Sequence, residues 1–208
     1  MPRPPRIFFA GANHHIIARG NNKMDLFRDI QDFRIYRKLW VTAKKRFHLK
    51  VYRWTWMTNH IHVLLQQLDK TGVAEAMHFV QGRFARYFGR KYGWKGHVWE
   101  ARYTNRLILD ETYFIRCAGY IENNPVEAGI VEQPFDYPWS SAPFYALGYR
   151  DPLTDRDPYF KTAYEDLAIS TDLFIGRRAV GRHDQLQQLS SAIGKTLLIR
   201  SNRSSYPD

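Results

Sequence analysis

The chain has 208 residues, with 31 Lys and Arg against 20 Asp and Glu, a formal net charge of +11. Hydrophobic residues make up 44% and charged residues 25%, which is the composition of a globular chain and excludes a disordered one. A single cysteine, Cys117, excludes an intrachain disulfide framework and a Cys-rich zinc site. No apolar run approaches the roughly 18 residues of a membrane span, and the apolar stretch at 7–12 is too short for the core of a signal peptide. The expected compartment is the cytoplasm, with no membrane partner.

In chain order, residues 14–18 predict a short strand, and Gly20-Asn21-Asn22 a turn. Asp29 is placed to cap a helix running to about Phe47, with Phe33, Tyr36, Trp40, Ala43 and Phe47 as its apolar stripe. Residues 50–57 alternate as a strand, which would put Tyr52, Trp54 and Trp56 on one face and Val51, Arg53, Thr55 and Met57 on the other. A turn at Thr58-Asn59 leads into a second strand, 60–67. A helix from Thr71 or Gly72 to about Tyr92 carries Val73, Met77, Val80 and Phe84 inward, and Gly93 ends it. Residues 97–108 look like a strand. Asp110 starts a third helix, expected to stop near Asn123 because Pro125 follows. Beyond Pro134 the chain is rich in turns, with short helices expected within 172–200. The order predicts an α+β fold, mostly antiparallel and compatible with a ferredoxin-like arrangement. Its expected units are a domain over 1–145 and a partly helical extension over 146–208.

The positive charge is not spread evenly. Residues 1–109 hold 21 basic and 6 acidic side chains, whereas 110–175 hold 4 and 12. Between Phe33 and Leu68 there is no acid at all. Arg83, Arg86 and Arg90 recur at helical spacing, and Lys44 and Lys45 fall off the apolar stripe of the first helix. Basic ridges among aromatic residues suit single-stranded nucleic acid, since cations track phosphates and rings stack on unpaired bases. The plainer reading is an ordinary solvated face with the tryptophans in the core.

His60-Ile61-His62 places two imidazoles on one side of a strand, with Ile61, Val63 and Leu65 on the other. Two readings fit: half of a divalent-metal site, or two polar residues on an exposed strand face. Tyr120 and Asn124 share a helix face at i, i+4, which suits either chemistry or packing on the sheet. His14 and His15 point to opposite faces of their strand and cannot act as a joint site. A P-loop and a GxGxxG loop are both missing, so ATP and dinucleotides are not implied.

Four segments together carry a resemblance. They are Ala18-Arg19-Gly20-Asn21-Asn22, then Met57-Thr58-Asn59-His60-Ile61-His62-Val63-Leu64-Leu65, then Tyr120-Ile121-Glu122-Asn123-Asn124-Pro125-Val126-Glu127-Ala128-Gly129, then Tyr137-Pro138-Trp139-Ser140-Ser141. In this order, from about residue 13 to 141, the chain resembles the REP-associated tyrosine transposases, single-tyrosine members of the HUH endonuclease superfamily. The resemblance implies a metal-dependent single-stranded DNA endonuclease and strand-transferase acting on hairpin-forming repeats through a 5′-phosphotyrosine. It implies Tyr120 as nucleophile and His60, His62 and Asn124 as ligands of Mg²⁺ or Mn²⁺. The basic first half then makes Arg19, Lys44, Lys45, Arg83, Arg86, Arg90, Arg102 and Arg106 the expected DNA contacts. Homodimer and monomer are both allowed. Glu127 departs from the pattern, standing where a basic residue is expected, and the tail lacks a strongly basic ending. The alternative is a non-catalytic DNA-binding repressor that keeps the fold.

Overall fold

The structure is a computed structural model and describes residues 9–70 and 72–159. The short helices expected within 172–200 lie outside the described residues. The elements are β1 (Asn13–Arg19), α1 (Ile30–Arg46), β2 (Leu49–Trp56), β3 (His60–Gln67), α2 (Gly72–Tyr92), β4 (Thr104–Ile108), α3 (Glu111–Glu127) and a short α4 (Ala142–Leu147). The four strands form one antiparallel sheet in the order β2-β3-β1-β4, the ferredoxin-like arrangement. Among the described residues no helix is long and apolar enough to cross a membrane.

One face of the sheet carries α1 and α2 over a large aromatic core. The Asp29 carboxylate accepts from the backbone N–H of Gln31 and Asp32, and Asp32 answers by accepting from Asp29 N–H, which closes a capping box at the start of α1. Phe33, Tyr36, Trp40 and Ala43 then bury in register with Val73, Ala76, Met77, Val80, Phe84 and Phe88 of α2. Gly93, at φ +64°, ends α2 in a left-handed conformation that costs glycine little. The other face carries α3 over a smaller core of Tyr52, Leu64, Ile108, Phe114, Cys117, Ala118 and Ile121.

Three local expectations are corrected. In β2, Val51 pairs with Leu65 and Arg53 with Leu64, so Tyr52 is an extra residue in a bulge. The bulge reverses the alternation: Val51, Trp54 and Trp56 join the large core, while Tyr52 joins the small one. Secondly, β4 is limited to Thr104–Ile108. Residues 97–100 leave the sheet and run beside the end of β1, with Asn21 N–H donating to Val98 and Glu100 N–H to Arg19. Thirdly, α3 passes through Pro125 to Glu127. Proline removes the hydrogen bond that its nitrogen would have donated to the Ile121 carbonyl. The Thr55 hydroxyl, from β2, donates to that carbonyl instead, at 2.7 Å.

The segment after α3 closes the free edge of β2. Ser141 N–H donates to Trp54 and Trp56 N–H to Trp139, while the Tyr137 hydroxyl donates to the Trp56 carbonyl at 2.7 Å. The described part of the expected extension packs onto the same domain. Leu153 is in the large core, Thr154 accepts from the Trp54 indole, and Asp151 and Asp155 pair with Arg37 and Lys44 of α1. The packing therefore continues without a break across 145/146 as far as residue 159.

Candidate active site

The face of the sheet beneath α3 holds the polar residues. On β3, His60 and His62 sit two apart with ring centroids 5.1 Å from one another. They do not face open solvent, as a strand turned away from the core would suggest. The presence of α3 above them leaves His62 only 3% exposed and His60 half-buried. Tyr120 lies across from them on α3, its ring 5.4 Å from that of His62 and nearly perpendicular to it. Asn124, one turn further on, is also buried and donates from Nδ2 to the Tyr120 carbonyl at 2.7 Å. Its amide also forms a hydrogen-bonding interaction with the His60 ring and with the Tyr120 phenol.

A further histidine belongs to this cluster. His15 on β1 turns toward α3, while its neighbour His14 turns to the other face and pairs with Asn105. Nε2 of His15 lies 3.0 Å from Nδ1 of His62, with the ring centroids 5.2 Å apart and the ring planes 27° from parallel. The rule that His14 and His15 cannot act jointly holds. The signal that was missed is the antiparallel pairing of β1 with β3, which brings together residues 47 apart in sequence.

Burial sets the protonation of this cluster. It pushes His60 down to about 4, with the Arg19 charge adding to it and the Asn124 hydrogen bond opposing it. Burial and the Arg106 charge push His15 down to about 4. His62 is driven well below its ordinary value, by burial first and then by the charges of His15, His60 and the two arginines. All three rings are therefore neutral at pH 7, the state in which an imidazole can bind a metal. Burial, followed by Glu127, raises the Tyr120 phenol, against lowering by Asn124 and Arg106. Without a cation Tyr120 is a weak nucleophile.

The donor set fits a divalent cation. His60 Nδ1 is 2.7 Å from the side-chain oxygen of Asn59, and His62 Nδ1 is 3.0 Å from His15 Nε2, so Nε2 is the nitrogen that each ring would offer to a cation. Asn124 adds an amide. Among the described residues no third His, Cys, Asp or Glu completes the set. The ligand set of His60, His62 and Asn124 thus carries no negative charge of its own, which suits a cation that shares its shell with an anionic substrate.

The basic residues divide by face. Arg19 and Arg106 border the site: Arg19 pairs with His60 across β1 and β3, and Arg106 with His15 across β4 and β1. Gly20, which follows Arg19, is required there because a Cβ would collide with the Met24 carbonyl. Arg83, Arg86 and Arg90 lie on the opposite side of the sheet, along a groove of about 450 Å³ that Ile35 and Leu39 of α1 also line. Arg102 and Lys45 are exposed. Lys44 is engaged within the fold, 2.8 Å from Asp155 and donating to the Leu153 carbonyl, so it is a strut and not a free phosphate contact.

The family model for IS200-like transposases matches residues 9–124, from just before β1 to Asn124 itself. The chain belongs to the IS200-like transposase family. Its members are enzymes that act on DNA. The fold is that of the REP-associated tyrosine transposase solved with a REP hairpin. That structure is 18% identical at a TM-score of 0.60, covering 78% of this chain and 96% of that one. A Deinococcus radiodurans R1 chain described as a transposase is 16% identical, covers 59% of this chain and 97% of that one, and has a TM-score of 0.41. No curated protein sequence matches.

Proposed function

We propose that this IS200-like transposase cuts and rejoins single-stranded DNA at hairpin-forming repeats, with Tyr120 as the nucleophile. The observation that carries this reading is the placement of the Tyr120 ring 5.4 Å from His62, beside His60 and Asn124. A tyrosine aimed at a neutral, metal-competent pair is what phosphoryl transfer to a phenol requires. The fold neighbour bound to a REP hairpin supports the substrate class. The site's compartment under this reading is the cytoplasm, alongside DNA.

His60, His62 and Asn124 would hold Mg²⁺ or Mn²⁺. When bound, the cation supplies charge that draws a scissile phosphate to the site and offsets the negative charge growing on it. Everything else falls to the chain. Arg19 and Arg106 flank the phosphate path, and the Arg106 charge favours ionisation of Tyr120. The Tyr120 oxygen bonds to phosphorus as the bond from phosphorus to the 3′ oxygen breaks. The phenol loses one proton and the departing 3′ oxygen gains one, leaving a free 3′-OH and a 5′-phosphotyrosine. The bond energy is conserved in that ester, so the reverse attack by a 3′-OH rejoins DNA without ATP.

The test is a 3′-labelled hairpin substrate incubated with the protein in Mg²⁺ or Mn²⁺, because the phosphotyrosine stays on the fragment that carries the original 3′ end. A covalent protein–DNA adduct that disappears in EDTA and in Tyr120→Phe is the expected result. Salt-sensitive hairpin binding without cleavage would establish the repressor alternative, and cleavage that survives Tyr120→Phe would mean that water is the nucleophile.

A further inference from the structure

His15 has no part in the chemistry above, yet it is 3% exposed and bonded to a candidate metal ligand. One proton occupies the 3.0 Å gap between His15 Nε2 and His62 Nδ1, and the two ways of placing it differ in consequence. If His15 donates, the neutral His62 must carry its own proton on Nε2, and that nitrogen cannot bind a metal. If His62 donates from Nδ1, its Nε2 keeps the lone pair that a cation needs. His60 shows the second pattern: its Nδ1 faces the Asn59 oxygen, an acceptor oriented by the Nδ2 donation of Asn59 to the Lys23 carbonyl.

We propose that His15 is the positioning residue for His62, accepting its Nδ1–H so that the ring is fixed in the tautomer and direction that offer Nε2 to a divalent cation. This rests on the metal-site reading above. The scaffold suits the role. β1 is paired on both sides, with His15 opposite Leu64 and Arg106, so the acceptor cannot drift along the sheet. The two ring planes lie only 27° apart, so the hydrogen bond runs close to the plane of both rings and turning His62 about its own axis breaks it. Partners of this kind are worth about 10- to 100-fold in metal affinity in other sites.

The experiment compares the wild-type chain with His15→Leu, which removes the acceptor, and His15→Gln, whose amide reaches the Nε2 position. Two-bond ¹⁵N–¹H correlation of the histidine rings in EDTA reads the tautomer without metal. The wild type and His15→Gln are expected to show His62 protonated on Nδ1, and His15→Leu a shift toward Nε2–H. Mn²⁺ affinity, by electron paramagnetic resonance, is expected to fall about 10- to 100-fold in His15→Leu and to stay within about threefold in His15→Gln. A wild-type His62 protonated on Nε2, or a folded His15→Leu with unchanged tautomer, overturns the proposal. Where His15→Leu does not fold, His15→Asn replaces it: its amide ends short of Nε2, and equality with wild type in tautomer overturns the proposal equally. A wild type that shows the expected tautomer but binds no Mn²⁺ defeats the metal reading and leaves the role of His15 in setting His62 intact.

Discussion

The two faces of the sheet are built for opposite ends. Beneath α1 and α2 lie Trp40, Trp54, Trp56, Tyr36, Phe84 and Phe88, fully buried and interlocked ring against ring. Beneath α3 the apolar cluster is small, and it shares its floor with His15, Arg53, Thr55, His62 and Glu122, all nearly inaccessible. Burying polar groups costs free energy unless each is paired. The pairing is present: Arg53 lies 3.1 Å from Asp157 and near Glu122, Glu122 accepts from Ser141, and Thr55 donates to α3. Such a face stabilises little in net terms and instead sets geometry, and the aromatic face carries the free energy that lets it do so.

The largest expected effect separates the faces at once. Tyr120→Phe removes one oxygen from the α3 face; adduct formation should fall by more than about 10³-fold while stability changes by no more than about 0.5 kcal/mol. Single-turnover assays and thermal melts on the same preparation check both. Phe84→Ala is the converse. Phe84 touches Phe27, Tyr36, Tyr87, Phe88 and Trp99, and truncation should cost about 3–5 kcal/mol in denaturant titrations. Cleavage per folded molecule should be unchanged. A Phe84→Ala protein that is stable but inactive would mean that the aromatic face shapes the site directly.

The difference between the faces also explains what the sequence could show. The α1–α2 face was readable because it rests on periodicity: Phe33, Tyr36, Trp40 and Ala43, or Val73, Met77, Val80 and Phe84, repeat with the helix. His60 and His62 were readable for the same reason, with period two. The α3 face depends on events that periodicity does not record. The bulge at Tyr52 shifts the phase of β2, and the continuation of α3 through Pro125 depends on a threonine 66 residues away in sequence reaching Ile121. His15 joins His62 only through strand register. Local pattern is enough to find an element and its buried side; it does not report which residues of two distant elements finally touch.

Acid should damage the α3 face first. His15 and His60 have their values pushed down to about 4 in the folded chain, below the ordinary 6.5 of an unfolded one. Between those values the unfolded state binds more protons, so stability falls as pH drops from about 6.5 through 4. Glu122, raised by burial, works in the opposite direction and blunts the loss. Asp29 and Asp32 are lowered from 3.8, so their contribution is lost only below that window. Melts in EDTA from pH 7 to 4 should show a decline on the order of a few kcal/mol, smaller in His15→Gln. A flat profile over that window would contradict three neutral buried imidazoles.

The smallest effect asks whether the α1–α2 face does more than hold the fold. Arg83, Arg86 and Arg90 are exposed there along a groove, on the side of the sheet away from Tyr120. Arg19 and Arg106 are beside the histidines. If DNA reaches both faces, the two arginine sets should fail differently. Replacing Arg83, Arg86 and Arg90 with Gln should weaken hairpin binding about tenfold and flatten the dependence of log affinity on log salt by about 2–3. The cleavage rate of DNA already bound should not change. Arg106→Gln should do the reverse, slowing cleavage of bound DNA with a change in salt slope of about 1 or less, because its charge acts on Tyr120 and the histidines. A triple variant with wild-type affinity would confine DNA to the α3 face, leaving the arginines of α2 as a solvated ridge and the division of labour between the faces complete.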